Sequence, residues 1–123
     1  MSYLTDRKRA AGRGSARTGT QSHWQMQITS VALLILVPCF VFTFGAIYGA
    51  PYEEVAAYYQ RPFPAVVAAL TLAVGFVHFR AGIQVVIEDY IHSALKTPLL
   101  IALICLCYAA GAAAVLAVVR LAL

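Results

Sequence analysis

Three stretches of almost unbroken apolar residues, separated by two polar breaks, set the pattern of this 123-residue chain. The first covers residues 28–50 and carries no charge. Roughly 20 such residues, rising ~1.5 Å each in a helix, cross the hydrocarbon of a bilayer. The second covers 65–91 and the third 97–123. This pattern predicts an all-α membrane protein: a polar amino-terminal segment, 1–27, followed by three transmembrane helices.

Punctuation along the chain refines that picture. Pro38 falls in the middle of the first run, where it removes a backbone donor and predicts a kink. His23 and Trp24 fall just before this run, at the depth where amphipathic rings settle. A loop is expected from 51 to 64, carrying Glu53, Glu54 and Arg61, with Tyr48, Tyr52, Tyr58 and Tyr59 suited to an interfacial belt. Lys96, Thr97 and Pro98 mark the second break, since proline is tolerated in a first helical turn. Small residues from Ala109 to Ala114, Gly111 among them, allow close helix approach in the third run.

Composition excludes a soluble reading. With 62% hydrophobic and 11% charged residues, a chain this short cannot hide its side chains inside a sphere. The net charge of +4 is unevenly spread: Arg7, Lys8, Arg9, Arg13 and Arg17 precede the first run, with Asp6 the one acid beside them. No aromatics interleave with these bases, so they read as an orientation signal and not as a nucleic-acid surface. Three crossings place the amino terminus and the Lys96 loop on one side, and Arg61 and Arg120 on the other. The positive-inside rule then makes the amino-terminal tail cytoplasmic. The tail does not read as a secretory signal, although its Arg-rich, acid-poor start is compatible with a weak organelle-targeting segment. Cys39, Cys105 and Cys107 all lie in apolar runs and do not read as a disulfide framework; Cys105 and Cys107 should point to opposite sides of a helix.

The ionisable residues of the second run need an explanation, because each is costly inside a membrane. His78 has Gly75 three residues before it and Gly82 four after, all on one helix face. The glycines leave a hollow for a flat, bulky group, as a haem with an imidazole ligand requires. A histidine bonded to a neighbouring helix beside packing glycines fits the local pattern equally well. Asp89, eleven residues after His78, returns to nearly the same face about 16 Å along the axis. Asp89 and Tyr90 together could bond a quinone carbonyl and relay protons; an interfacial tyrosine beside a solvated acid is the plainer alternative. Arg80, Gln84 and Glu88 form a polar stripe on nearly the opposite side, facing a protein helix, a wet crevice or a cofactor carboxylate. His92 either lines the Asp89 side or meets water.

The run His78-Phe-Arg-Ala-Gly82-Ile-Gln-Val-Val-Ile-Glu-Asp89-Tyr90 resembles the second-helix signature of the hydrophobic membrane anchor of succinate dehydrogenase, respiratory complex II. That signature is a histidine, a glycine four later, and an Asp-Tyr pair eleven and twelve later. The Glu-Asp-Tyr-Ile-His ending and the upstream Gly-Ser-Ala-Arg-Thr-Gly segment are similar to the alphaproteobacterial branch. One departure is Gln27, where the family commonly has an arginine; Arg17 or Arg80 would have to supply that basic group.

The resemblance implies that His78 is one axial ligand of haem b and its iron, with the second ligand on the partner cytochrome b membrane subunit. It implies that Tyr90 hydrogen-bonds ubiquinone with Asp89 in support, and that the chain docks the flavoprotein and iron–sulfur subunits in a bacterial inner membrane, a mitochondrial one being the lesser alternative. No dehydrogenase activity is expected of the chain alone, which has no nucleotide-binding pattern and no cysteine cluster. Two alternatives are a haem-free structural anchor of a fumarate reductase-like complex and a small transporter using Arg80, Glu88 and Asp89. A transporter fits poorly, because its charged site belongs near the midplane and both acids lie near a helix end.

Overall fold

The computed structural model describes residues 3, 5–12, 14 and 19–123, and these fold without strands. Five helices follow in order: α1 (Asp6–Ala11), α2 (Gly19–Gly45), α3 (Tyr52–Tyr59), α4 (Pro62–Tyr90) and α5 (Lys96–Ala122). Three of them, α2, α4 and α5, are long and apolar enough to cross a membrane, as the three runs predict.

Their ends differ from the apolar runs for physical reasons. α2 starts at Gly19, well before the first apolar run, because a helix satisfies its own backbone and need not stop where the hydrocarbon stops. Its 27 residues span about 40 Å, more than the ~30 Å core, so its polar first turns lie among headgroups. The helix passes through Pro38 without a break and ends at Gly45 in a turn. Gly49 then takes φ 84°, a left-handed conformation that suits glycine, and redirects the chain. The expected loop 51–64 instead contains α3, opened by Pro51 and carrying Glu53 and Glu54 in its first turn, where acids suit the helix dipole. Pro62 opens α4 at its first position. At the other end of α4, the Lys96 ammonium donates to the Glu88 carbonyl at 3.1 Å, a cation on the negative helix end.

α4 is the centre of the assembly. It packs against α2 on one side and α5 on the other, and among the described residues the backbones of those two do not approach each other closely. Gly111 makes the α4–α5 contact close: a methyl there would stand 3.1 Å from Phe76 Cβ. Two threonines tie α2 to α4. Thr71 Oγ1 donates to its own helix at Val67 O, 2.6 Å, and reaches Leu36 O at 3.5 Å; Thr29 Oγ1 lies 2.9 Å from His78 Nδ1.

Burial is concentrated at one end of the bundle, at Thr43 near the end of α2, Tyr59 of α3, and Pro64, Ala65, Val67 and Ala68 at the start of α4. Tyr59 is therefore a packing residue, unlike exposed Tyr48 and Tyr52, and its burial, with Tyr58 beside it, raises its phenol pKa above the ordinary value. Large apolar side chains such as Leu34, Phe42, Phe63 and Leu106 stay exposed on the chain, as expected of surfaces that meet lipid or other membrane helices. Cys105 is exposed and Cys107 buried, the opposite facing expected of them, and all three cysteines are free.

Candidate functional site

The sequence places Gly75, Gly82 and Asp89 seven residues apart on α4. At 100° per residue they share an arc of about 40°, with His78 about 60° to one side of Gly75 and Tyr90 about 60° to the other. α2 covers the His78 flank through Thr29, and α5 covers the side carrying Phe76. The glycine face between them is open: a methyl on Gly75 or on Gly82 meets nothing within 4 Å. An apolar hollow of about 350 Å³ begins on this face, lined by Thr71, Leu72, Gly75, Phe76 and Phe79. His78 borders this face and is not itself part of the hollow's lining.

His78 is half-buried, and its one hydrogen bond among the described residues is to Thr29 through Nδ1. The bond to a neighbouring helix is what a packing histidine would show, but it engages only one ring nitrogen. Nε2 remains without a partner among the described residues, and an imidazole ligates through one nitrogen while the other is held. Thr29 was not singled out by the sequence, because its partner lies 49 residues away and only the antiparallel pairing of α2 and α4 brings them together.

Asp89 and Tyr90 stand at the end of α4, both exposed, Tyr90 at 82%. No side-chain hydrogen bond joins them to each other or to other described residues, so the carboxylate does not support the phenol in the chain alone. His92 follows beyond the helix and is exposed.

The polar stripe becomes one wall of a crevice of about 390 Å³ between the first turns of α2 and the end of α4. Arg80, Gln84 and Glu88 line it opposite Ser22, His23 and Gln25. Glu88 accepts from Gln84 Nε2 at 2.8 Å and does not pair with Arg80. The Arg80 guanidinium lies 5.9 Å from the Tyr108 ring on α5, while its Nε is buried with no hydrogen-bond partner. Spacing of four residues made this stripe legible; its opposite wall and Tyr108 were not. Arg17, the other base that could stand in for an arginine at the position of Gln27, lies outside the described residues, as does most of the Gly-Ser-Ala-Arg-Thr-Gly segment. Among the described residues, no cluster of three His, Cys, Asp or Glu side chains could hold a metal ion by itself.

Comparison with known proteins agrees with this architecture. The family model described as succinate dehydrogenase/fumarate reductase transmembrane subunit matches residues 1–118. A curated relative from Paracoccus denitrificans, the succinate dehydrogenase hydrophobic membrane anchor subunit, is 42% identical over 123 residues, covering 100% of this chain and 95% of its own. No solved structure matches. A family match over nearly the whole chain and a relative aligned along its full length carry one conclusion: the chain belongs to the family of succinate dehydrogenase/fumarate reductase transmembrane subunits.

Proposed function

We propose that this chain is the membrane-anchor subunit of a succinate:ubiquinone oxidoreductase in a bacterial inner membrane, with its amino terminus cytoplasmic. In this reading His78 Nε2 is one axial ligand of haem b, and Tyr90 with Asp89 forms part of the ubiquinone site. The observation that carries the reading is the state of His78: one ring nitrogen is held by Thr29 and the other is unengaged, beside an open face at Gly75 and Gly82. The open face leaves room for a flat group beside the unengaged nitrogen, which is what supports the reading.

The residues fit the group. Without side chains at 75 and 82, a macrocycle edge can approach the backbone of α4, and the adjoining hollow presents an almost wholly apolar lining to it. The second axial ligand would come from the cytochrome b membrane subunit. A bound haem would supply one-electron redox capacity there. Ubiquinone becomes ubiquinol by taking two electrons and two protons, so its site must lie where protons can arrive. Tyr90 and Asp89 are exposed at the cytoplasmic end in this topology, where a phenol donates to a carbonyl oxygen and a carboxylate exchanges protons with water. The exposed apolar faces of α2, α4 and α5 are the surfaces on which the partner membrane subunit would pack, with the flavoprotein and iron–sulfur subunits docking at the cytoplasmic ends.

A haem-free anchor of a fumarate reductase-like complex is the competing reading, since the family covers both enzymes. Purification of the assembly from its native membrane, with identification of the co-purifying subunits and a reduced-minus-oxidised spectrum, separates the two. A haem b band with flavoprotein, iron–sulfur and cytochrome b subunits is expected; the same subunits without haem would favour the alternative.

A further inference from the structure

The hydroxyl of Thr29 has one proton and sits 2.9 Å from each of three atoms: the carbonyl oxygens of Gln25 and Met26, and Nδ1 of His78. The two carbonyls can only accept. If the hydroxyl proton pointed to Nδ1, the Thr29 oxygen would face two carbonyl oxygens at hydrogen-bond distance with no proton between them. If it points back into α2, the two carbonyls share it, and Nδ1–H donates to a lone pair of the hydroxyl oxygen. We infer that Thr29 is a positioning residue that holds His78 in the Nδ1–H tautomer, with Nε2 bare and oriented to ligate iron.

Local chemistry sets this acceptor before any ligand binds. A threonine in a helix commonly turns its hydroxyl to the carbonyl three or four residues back, which fixes its side-chain rotamer. The next residue, Ser30, makes the same bond to Met26 O at 2.9 Å. The pairing of α2 with α4 then brings the fixed acceptor to His78. Seven residues further along α2, Leu36 meets Thr71, which lies seven residues earlier on α4, so the two contacts belong to one antiparallel register. A slip of either helix would remove both.

An acceptor on the far nitrogen makes the ligating nitrogen a better electron donor and fixes the plane of the ring. This inference rests on the reading of His78 as a haem ligand, and the test keeps the two apart. Thr29→Val keeps the branched shape and removes the hydroxyl; Thr29→Ser keeps the hydroxyl and removes the methyl; Thr29→Ala removes both. Each is made in the full complex, purified from native membranes, and read by haem content per flavin, haem midpoint potential and the low-field electron paramagnetic resonance of the oxidised haem. Expected for Val and Ala are an upward shift of the potential, a moved resonance and a loss of haem affinity on the order of ten-fold, while Ser stays near the parent. Val or Ala indistinguishable from the parent in potential and resonance overturns the inference, as does Ser behaving like Val. If Val and Ala fail to assemble where Ser succeeds, Thr29 is a folding element and the inference falls. His78→Ala supplies the independent control: haem lost there but untouched in Val and Ala removes only the role of Thr29. Haem unchanged in His78→Ala removes the ligand reading and this inference with it.

Discussion

Gly111 on α5 lies so close to Phe76 on α4 that a methyl at position 111 would stand 3.1 Å from Phe76 Cβ and 3.2 Å from Cγ. The obstructing atom is at the base of the side chain, so it cannot swing aside without moving the helix. Gly111→Ala should destabilise the subunit by about 1–3 kcal/mol, the usual cost of overpacking, and Gly111→Leu by more. Thermal inactivation of the detergent-solubilised complex checks this; Gly111→Leu as stable as the parent would mean that α4 and α5 separate there.

Gly82 presents the opposite case, because nothing stands within 4 Å of an added methyl. Gly82→Leu should leave membrane insertion of the chain unchanged and reduce the haem content of the complex. The readout is subunit abundance in membranes against the reduced-minus-oxidised haem signal. Full haem content with leucine at this position would mean that the open face receives lipid and no cofactor.

Tyr90 is 82% exposed and unbonded, so the fold does not depend on its hydroxyl. Tyr90→Phe should lose quinone reductase activity while succinate oxidation by artificial acceptors continues. Parallel assays on the same membranes separate the two, and equal loss of both activities would indicate an assembly role.

The orientation of the chain is open to a reporter test. Fusions truncated after Tyr52 should place the reporter outside the cytoplasm, and fusions after His92 should place it inside. Periplasmic phosphatase activity should therefore be high for the first and low for the second, and the reverse pattern would contradict the cytoplasmic amino terminus.

Much of this molecule is written locally in its sequence. The three spans are legible because long apolar runs have no other satisfactory environment, and the Arg80–Gln84–Glu88 stripe because a spacing of four selects one helix face. Helix ends are less legible. The start of α2 at Gly19 lies among polar residues that hydropathy assigns to a tail, yet a helix already nucleated in the membrane extends through them at little cost. α3 hides between Pro51 and Pro62, whose usual meaning is a loop, although both prolines also suit helix starts. Thr29 is illegible for another reason: its value depends on a register between two helices, and an isolated threonine gives no sign of its partner. For the candidate site itself, the spacing of Gly75, His78, Gly82, Asp89 and Tyr90 supplied the residues, while only the fold separates the open face from the flanks that α2 and α5 cover.

Whether His78 carries haem iron is decided by His78→Ala in the purified complex. Loss of the haem b band from the reduced-minus-oxidised spectrum is expected while the other subunits still co-purify with the chain. A haem b spectrum of unchanged position and intensity in that variant would mean that His78 is not a ligand of the iron.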